Sequence, residues 1–224
     1  MRSHSLLQDK DFTGKLIRLM APIALQSLML SAVAAGDAIM LGRLDQNSMT
    51  GVSLATQIQF IQNMVLGSIT GGVSVLGAQY WGKQDRKTIN DIFCMSLRLA
   101  GISSFLFFAA CMFIPEALMR IFTNDSALIA VGAGYLRIAG WSYLLTGISQ
   151  CYQALMKVTE HVPQVALIST VTVLLNIGFN AVFIFGLFGI PRMGAEGAAI
   201  ATLLARAIEL LWSVALSFGR GYMH

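Results

Sequence analysis

The chain has 224 residues, of which 56% are hydrophobic and only 12% charged, with a formal net charge of +4 and a mean hydropathy of +0.69. A soluble globular domain carries roughly twice that charged fraction, so a soluble core is excluded. The positive charge forms no patch with interleaved aromatics, which argues against nucleic acid as a partner.

The apolar residues fall into six runs, at 15–41, 53–80, 92–114, 127–150, 163–189 and 194–219. Each is near or above the roughly 20 residues that a helix needs to cross the hydrocarbon of a bilayer. In lipid, backbone N–H and C=O groups must be paired within the segment, so runs of this length are helices. The expected fold class is all-α integral membrane: a six-transmembrane-helix bundle forming one lobe over 1–224, with short connections between antiparallel neighbours. Asp9 and Asp11 interrupt the start, and the first run is too long for a signal peptide and lacks a small-residue cleavage site. It is expected to remain as the first membrane helix.

Basic residues set the orientation. Arg2, Lys10, Lys15, Arg18, Lys83, Arg86, Lys87, Lys157 and Arg220 fall on one side, against Arg43, Arg120 and Arg192 on the other. The richer side is expected to be cytoplasmic, with both termini there, in the cell (inner or plasma) membrane.

In chain order, the first run carries Asp37 among small and apolar neighbours, Ala34 to Ile39, with no basic residue one turn away. A carboxylic acid in lipid costs at least a few kcal/mol, and burial favours its neutral form. Two readings stand: an acid that exchanges a proton for a cation, or a structural partner of Arg137. In the second run, Gly67, Gly71, Gly72 and Gly77 make a small surface, for close helix packing or for helices that bend and slide. Arg98 in the third run is about two turns from a helix end and can snorkel outward.

The cysteines, Cys94, Cys111 and Cys151, are odd in number and fit no metal motif. No metal site is expected beyond a possible Na⁺ at Asp37. The fifth run carries Asn176 and Asn180, four apart on one face. Thr202 falls at a similar depth in the sixth run. Together with Asp37 they supply hard oxygen ligands suited to Na⁺ or a proton; interhelical hydrogen bonding is the alternative use of the asparagines. Arg206 and Glu209 are three apart on one face of the sixth run, placed to neutralise each other or to act in gating. The spans hold no histidine, no Gly-x-Ser-x-Gly elbow and no paired aspartates, so a membrane enzyme is not expected.

Five local stretches resemble the multidrug and toxic compound extrusion (MATE) family. The first run contains Ala21-Pro22-Ile23 and Gly36-Asp37-Ala38-Ile39-Met40-Leu41-Gly42-Arg43-Leu44, similar to that family's Asp-x-x-Met-x-Gly-Arg-Leu. The second ends Gly77-Ala78-Gln79-Tyr80-Trp81-Gly82-Lys83, and the fourth contains Gly134-Tyr135-Leu136-Arg137-Ile138. The fifth has Leu175-Asn176 and Phe183-Ile184-Phe185-Gly186, and the sixth opens Gly194-Ala195-Glu196-Gly197-Ala198-Ala199-Ile200-Ala201-Thr202.

The resemblance implies the N-terminal six-helix lobe of a twelve-helix antiporter that exports organic cations and amphipathic drugs in exchange for Na⁺ or H⁺. It implies that Asp37 and Asn176 belong to the cation site, and that Tyr135, Gln150 and Gln153 contact substrate. Asn180 stands where some members have a second acid, which leaves the choice of ion open. No cofactor is implied beyond the coupling ion. Because the resemblance reaches only one of two lobes, the expected partner is a second six-helix lobe or a second copy of the chain. The alternatives are a lipid-linked saccharide flippase of a related family and a truncated lobe with no transport activity alone.

Overall fold

The computed structural model describes residues 45–189 and 191–219, together with scattered positions between 14 and 42 that are all helical. Most of the 15–41 run lies outside the described residues, including Asp37, as do Arg2, Lys10, Lys15, Arg18, Arg43 and Arg220.

The remainder forms α1 (Gln46–Gly82), α2 (Arg86–Phe113), a short α3 (Pro115–Arg120), α4 (Ser126–Val158), α5 (Val162–Phe185), a 3₁₀ turn (Leu187–Gly189) and α6 (Gly194–Gly219). No strand occurs among the described residues. All of these helices except α3 are long and apolar enough to cross a membrane.

Local chemistry sets the helix ends. Asp45, Asp85 and Asp125 each accept a backbone N–H of the first turn they precede, from Ser48 (3.1 Å), Thr88 (3.1 Å) and Ala127 (2.9 Å). Such caps satisfy donors that the helix itself leaves orphaned. Pro115 and Pro163 stand in the first turns of α3 and α5, where a missing N–H costs nothing.

Three ends differ from the apolar runs. The 92–114 run stops at Phe113, because Pro115 restricts the residue before it and opens α3. α4 continues eight residues beyond 150, so Gln153 is helical and Lys157 sits in the last turn of α4. α5 ends four residues before 189, because Gly186 adopts φ 72°, a left-handed cap open to glycine.

α4 is the central helix and packs against α1, α2 and α6, while α5 packs chiefly on α6. Its contact with α2 depends on small residues. A Cβ on Gly147 would run into the Ser104 side chain and lie 3.2 Å from the Ala100 carbonyl oxygen, and one on Gly140 would lie 3.0 Å from Cys111 Cβ. The side chains of Leu136, Tyr143 and Phe93 are buried along this seam. On α1 the glycines divide. Gly77 meets Val158, but Gly67, Gly71 and Gly72 have nothing within 4 Å of a Cβ, so they do not serve close packing among the described helices.

The outer surface is apolar. Met64, Phe105, Leu106, Leu174 and Leu211 are each more than half exposed, a pattern that water penalises and hydrocarbon does not. α1 has 37 residues, about 55 Å at 1.5 Å per residue. It therefore outreaches the ~30 Å hydrocarbon layer.

Candidate functional site

A cavity of about 780 Å³ opens between α1, α4, α5 and α6. Apolar packing closes the lobe on the α2 side, whereas the cavity wall collects amides, hydroxyls and charges. The open glycines Gly67 and Gly71 belong to this wall, as do Tyr135, Gln150 and Gln153 of α4.

Two polar clusters organise it. In the first, the i, i+4 spacing of Asn176 and Asn180 puts both amides on one line of α5. Asn180 Nδ2 donates to Asn176 Oδ1 at 3.1 Å, and Asn176 Nδ2 donates to Thr202 Oγ1 at 3.3 Å. The Thr202 hydroxyl donates in turn to the Ala198 carbonyl, 3.0 Å away on its own helix. Asn180 is fully buried, while Asn176 and Thr202 reach the cavity wall. α5 and α6 thus join three of the four residues singled out for an ion site; Asp37 lies outside the described residues.

The second cluster centres on Glu209, which is 3% exposed. Arg206 Nη1 donates to Glu209 Oε2 at 2.7 Å, the i, i+3 pair expected on one helix face. Gln153 Nε2 donates to Glu209 Oε1 at 2.8 Å from α4. Both carboxylate oxygens are therefore engaged, from two helices. A charge this far from water requires such partners. This Gln153–Glu209 contact has no counterpart in the sequence reading, which sees only spacing within one helix. A readable signal was the series Thr202, Arg206, Glu209 and Ser213, spaced four, three and four, which marks one polar face of α6.

The other candidates fall as follows. Gln150 Nε2 donates to Asn63 Oδ1 at 3.3 Å, bridging α4 and α1 on the cavity wall. Tyr135 is 3% exposed. Arg137 approaches Glu116 at 3.9 Å, and both side chains are more than half exposed, so this pair is superficial. Cys94 is exposed, Cys111 and Cys151 are buried, and all three are free thiols. Another amide, Gln62, is fully buried away from the wall. It ties α1 to α4 by donating to the Tyr143 carbonyl at 2.9 Å.

Comparison with known proteins gives these features a context. The MatE family model matches residues 22–182. The chain is 25% identical over 210 residues to the uncharacterized transporter YisQ of Bacillus subtilis (strain 168), covering 94% of this chain and 46% of the relative. It is 28% identical over 199 residues to the probable multidrug resistance protein NorM of Thermotoga maritima, covering 88% and 43% respectively. A solved structure of MATE in the bent conformation superimposes with a TM-score of 0.82 at 20% identity, covering 96% of this chain and 47% of that one. The chain thus spans under half the length of the curated relatives it matches. The structural likeness shows the fold, that of about half of the matched chain. The apolar helices, the family model and the curated relatives show a multi-pass protein of the cell membrane. With the family model matched across most of the helical bundle, this chain belongs to the MatE family, whose members are transporters and not enzymes.

Proposed function

We infer that this lobe belongs to a cation-coupled antiporter that exports organic cations and amphipathic drugs. In this reading Asp37, Asn176, Asn180 and Thr202 hold the coupling ion, Na⁺ or H⁺, and Tyr135, Gln150 and Gln153 face the substrate. The basic residues Lys83, Arg86, Lys87 and Lys157 lie toward the cytoplasm, as do both termini.

The observation that carries the reading is the hydrogen-bonded series Asn180–Asn176–Thr202 at the wall of a 780 Å³ cavity. Amide and hydroxyl oxygens at this depth are hard ligands for a small cation, and the cavity beside them is the size of drug-binding clefts. A carboxylate at Asp37, in the first apolar run, would add the charge that lets the ion be taken up and released. Alternating access moves one bundle against another around a central site. The working transporter is therefore this lobe with a second six-helix lobe or a second copy of the chain.

The test is efflux of ethidium from cells expressing the chain, beside its Asp37→Asn variant at equal membrane abundance. Efflux by the chain that disappears in the variant is the expected result. Efflux that survives Asp37→Asn would remove the coupling role, and no efflux from the unmutated chain would mean that this lobe does not transport by itself.

A further inference from the structure

We propose that the Glu209–Ser213–Ser217 face of α6 holds a file of ordered water molecules, a hydrogen-bonded path between the last turn of α6 and the buried Glu209 carboxylate. The path lies beyond the cavity already described, and it does not depend on which ion or substrate that cavity takes.

On α6 the cavity lining runs from Ala198 to Glu209 and stops there. The polar face does not stop. Ser213 and Ser217 follow Glu209 at steps of four, so the three residues keep to one stripe, which ends in the last turn of α6. The side chains flanking the stripe show what it faces. Trp212 and Leu216 pack against Met156, Val165 and Ile168, while Val214 packs against the cluster that includes Cys151, Tyr152 and Leu155 of α4. At 100° per residue the two serines fall between these flanks. They therefore lie in the seam with α4, the same seam in which Gln153 meets Glu209.

Their hydroxyls break the pattern of the other helices. Ser68, Ser74, Thr146 and Thr170 each donate to the carbonyl four residues back, at 2.8–3.0 Å. Ser213 and Ser217 are wholly buried, yet neither Oγ has a hydrogen-bond partner among the described residues. A buried hydroxyl without a partner bears the full cost of leaving water. Two of them on one stripe, in line with a carboxylate, point to water retained in the seam.

The spacing fits that occupant. One turn separates Glu209 from Ser213, and Ser213 from Ser217, a rise of about 6 Å each. Two hydrogen bonds of about 2.8 Å through one water span that distance. Glu209 takes one bond on each oxygen, from Gln153 and Arg206, and keeps lone pairs for a further donor. Each water then has the two or more polar partners that an internal water needs.

The experiment uses the chain in lipid nanodiscs, with Cys94, Cys111 and Cys151 replaced by alanine and Ser213→Cys or Leu211→Cys added. Leu211 stands on the apolar outer surface, so its thiol is shielded by lipid. Methanethiosulfonate ethylammonium, which reacts with thiols in contact with water, is the probe, and modification is scored as lost maleimide labelling after denaturation. The Ser213→Cys thiol is expected to react at least about tenfold faster than the Leu211→Cys thiol, because only the first has water beside it to support the reactive thiolate. Should the cysteine variants fail to fold, melting temperatures of Ser213→Ala and Ser217→Ala in the unmutated background decide. Each should fall by about 2–4 °C if the hydroxyl holds water. In a dry seam, losing an unpaired hydroxyl leaves the melting temperature unchanged or raises it. A Ser213→Cys rate no greater than that of Leu211→Cys, or alanine variants at least as stable as the unmutated chain, would overturn the water file.

Discussion

Gln153 of α4 donates a 2.8 Å hydrogen bond to Glu209 of α6, and so fixes a buried carboxylate from a helix other than its own. With Arg206 on the second oxygen at 2.7 Å, the three residues form a closed polar unit at the cavity wall. Its members have unequal consequences when removed. Glu209→Ala leaves Arg206 without its counter-charge and should destabilise by about 3–5 kcal/mol, the cost of breaking a buried pair. Gln153→Ala removes one hydrogen bond to a charged group and should cost about 1.5–3 kcal/mol. Thermal unfolding in mild detergent reports both, and an equal loss in the two variants would refute the ranking.

The asparagine series makes a separate prediction. Asn176→Ala removes both the acceptor of Asn180 Nδ2 and the donor to Thr202 Oγ1. At 5% exposure water does not readily replace them, so a stability loss of about 1–3 kcal/mol is expected. If the series also holds the coupling ion, ²²Na⁺ binding measured by scintillation proximity should fall with it. Full retention of ion binding would confine Asn176 to helix packing.

Two glycines should respond oppositely to the same change. Gly147→Ala places a methyl group against Ser104 and the Ala100 carbonyl, where α2 crosses α4. It should cost about 1–3 kcal/mol through overpacking. Gly67→Ala meets nothing within 4 Å among the described residues and should stabilise α1 by about 0.5–1 kcal/mol, because alanine loses less backbone entropy in a helix. Melting temperatures of the two variants decide the matter. A Gly67→Ala protein that is stable but binds drug poorly would show that the open glycine serves the cavity.

The start of α2 should depend on acid. Hydrogen bonds from the Thr88 hydroxyl (2.6 Å) and the Thr88 backbone N–H (3.1 Å) hold the Asp85 carboxyl below its usual range. A lowered folded-state value means that the stabilisation is present above the unfolded pKa of about 3.9. It fades as pH falls through the still lower folded value. The melting-temperature gap between the unmutated chain and Asp85→Ala should therefore be full at pH 7 and shrink below about pH 4. A gap that stays constant to pH 3 would rule out the charged cap.

Length and hydropathy were enough to read the membrane bundle, because spanning lipid demands long helices with internally paired backbones, whatever packs beside them. Spacing along one helix was enough for the Asn176–Asn180 and Arg206–Glu209 pairs, since residues three or four apart always share a face. What lay between helices was not legible. The i, i+4 glycines Gly67 and Gly71 were open to two uses, close packing or helices that bend and slide, and among the described residues they line a cavity; spacing alone does not reveal what stands opposite them. The 127–150 run stopped short of Gln153 and Lys157, because polar residues at the end of an apolar run do not by themselves end a helix. Only the packing of α4 against α6 decided that Gln153 would meet Glu209. That contact joins residues 56 apart in the chain, and its energy depends on burial and approach, which no local pattern encodes.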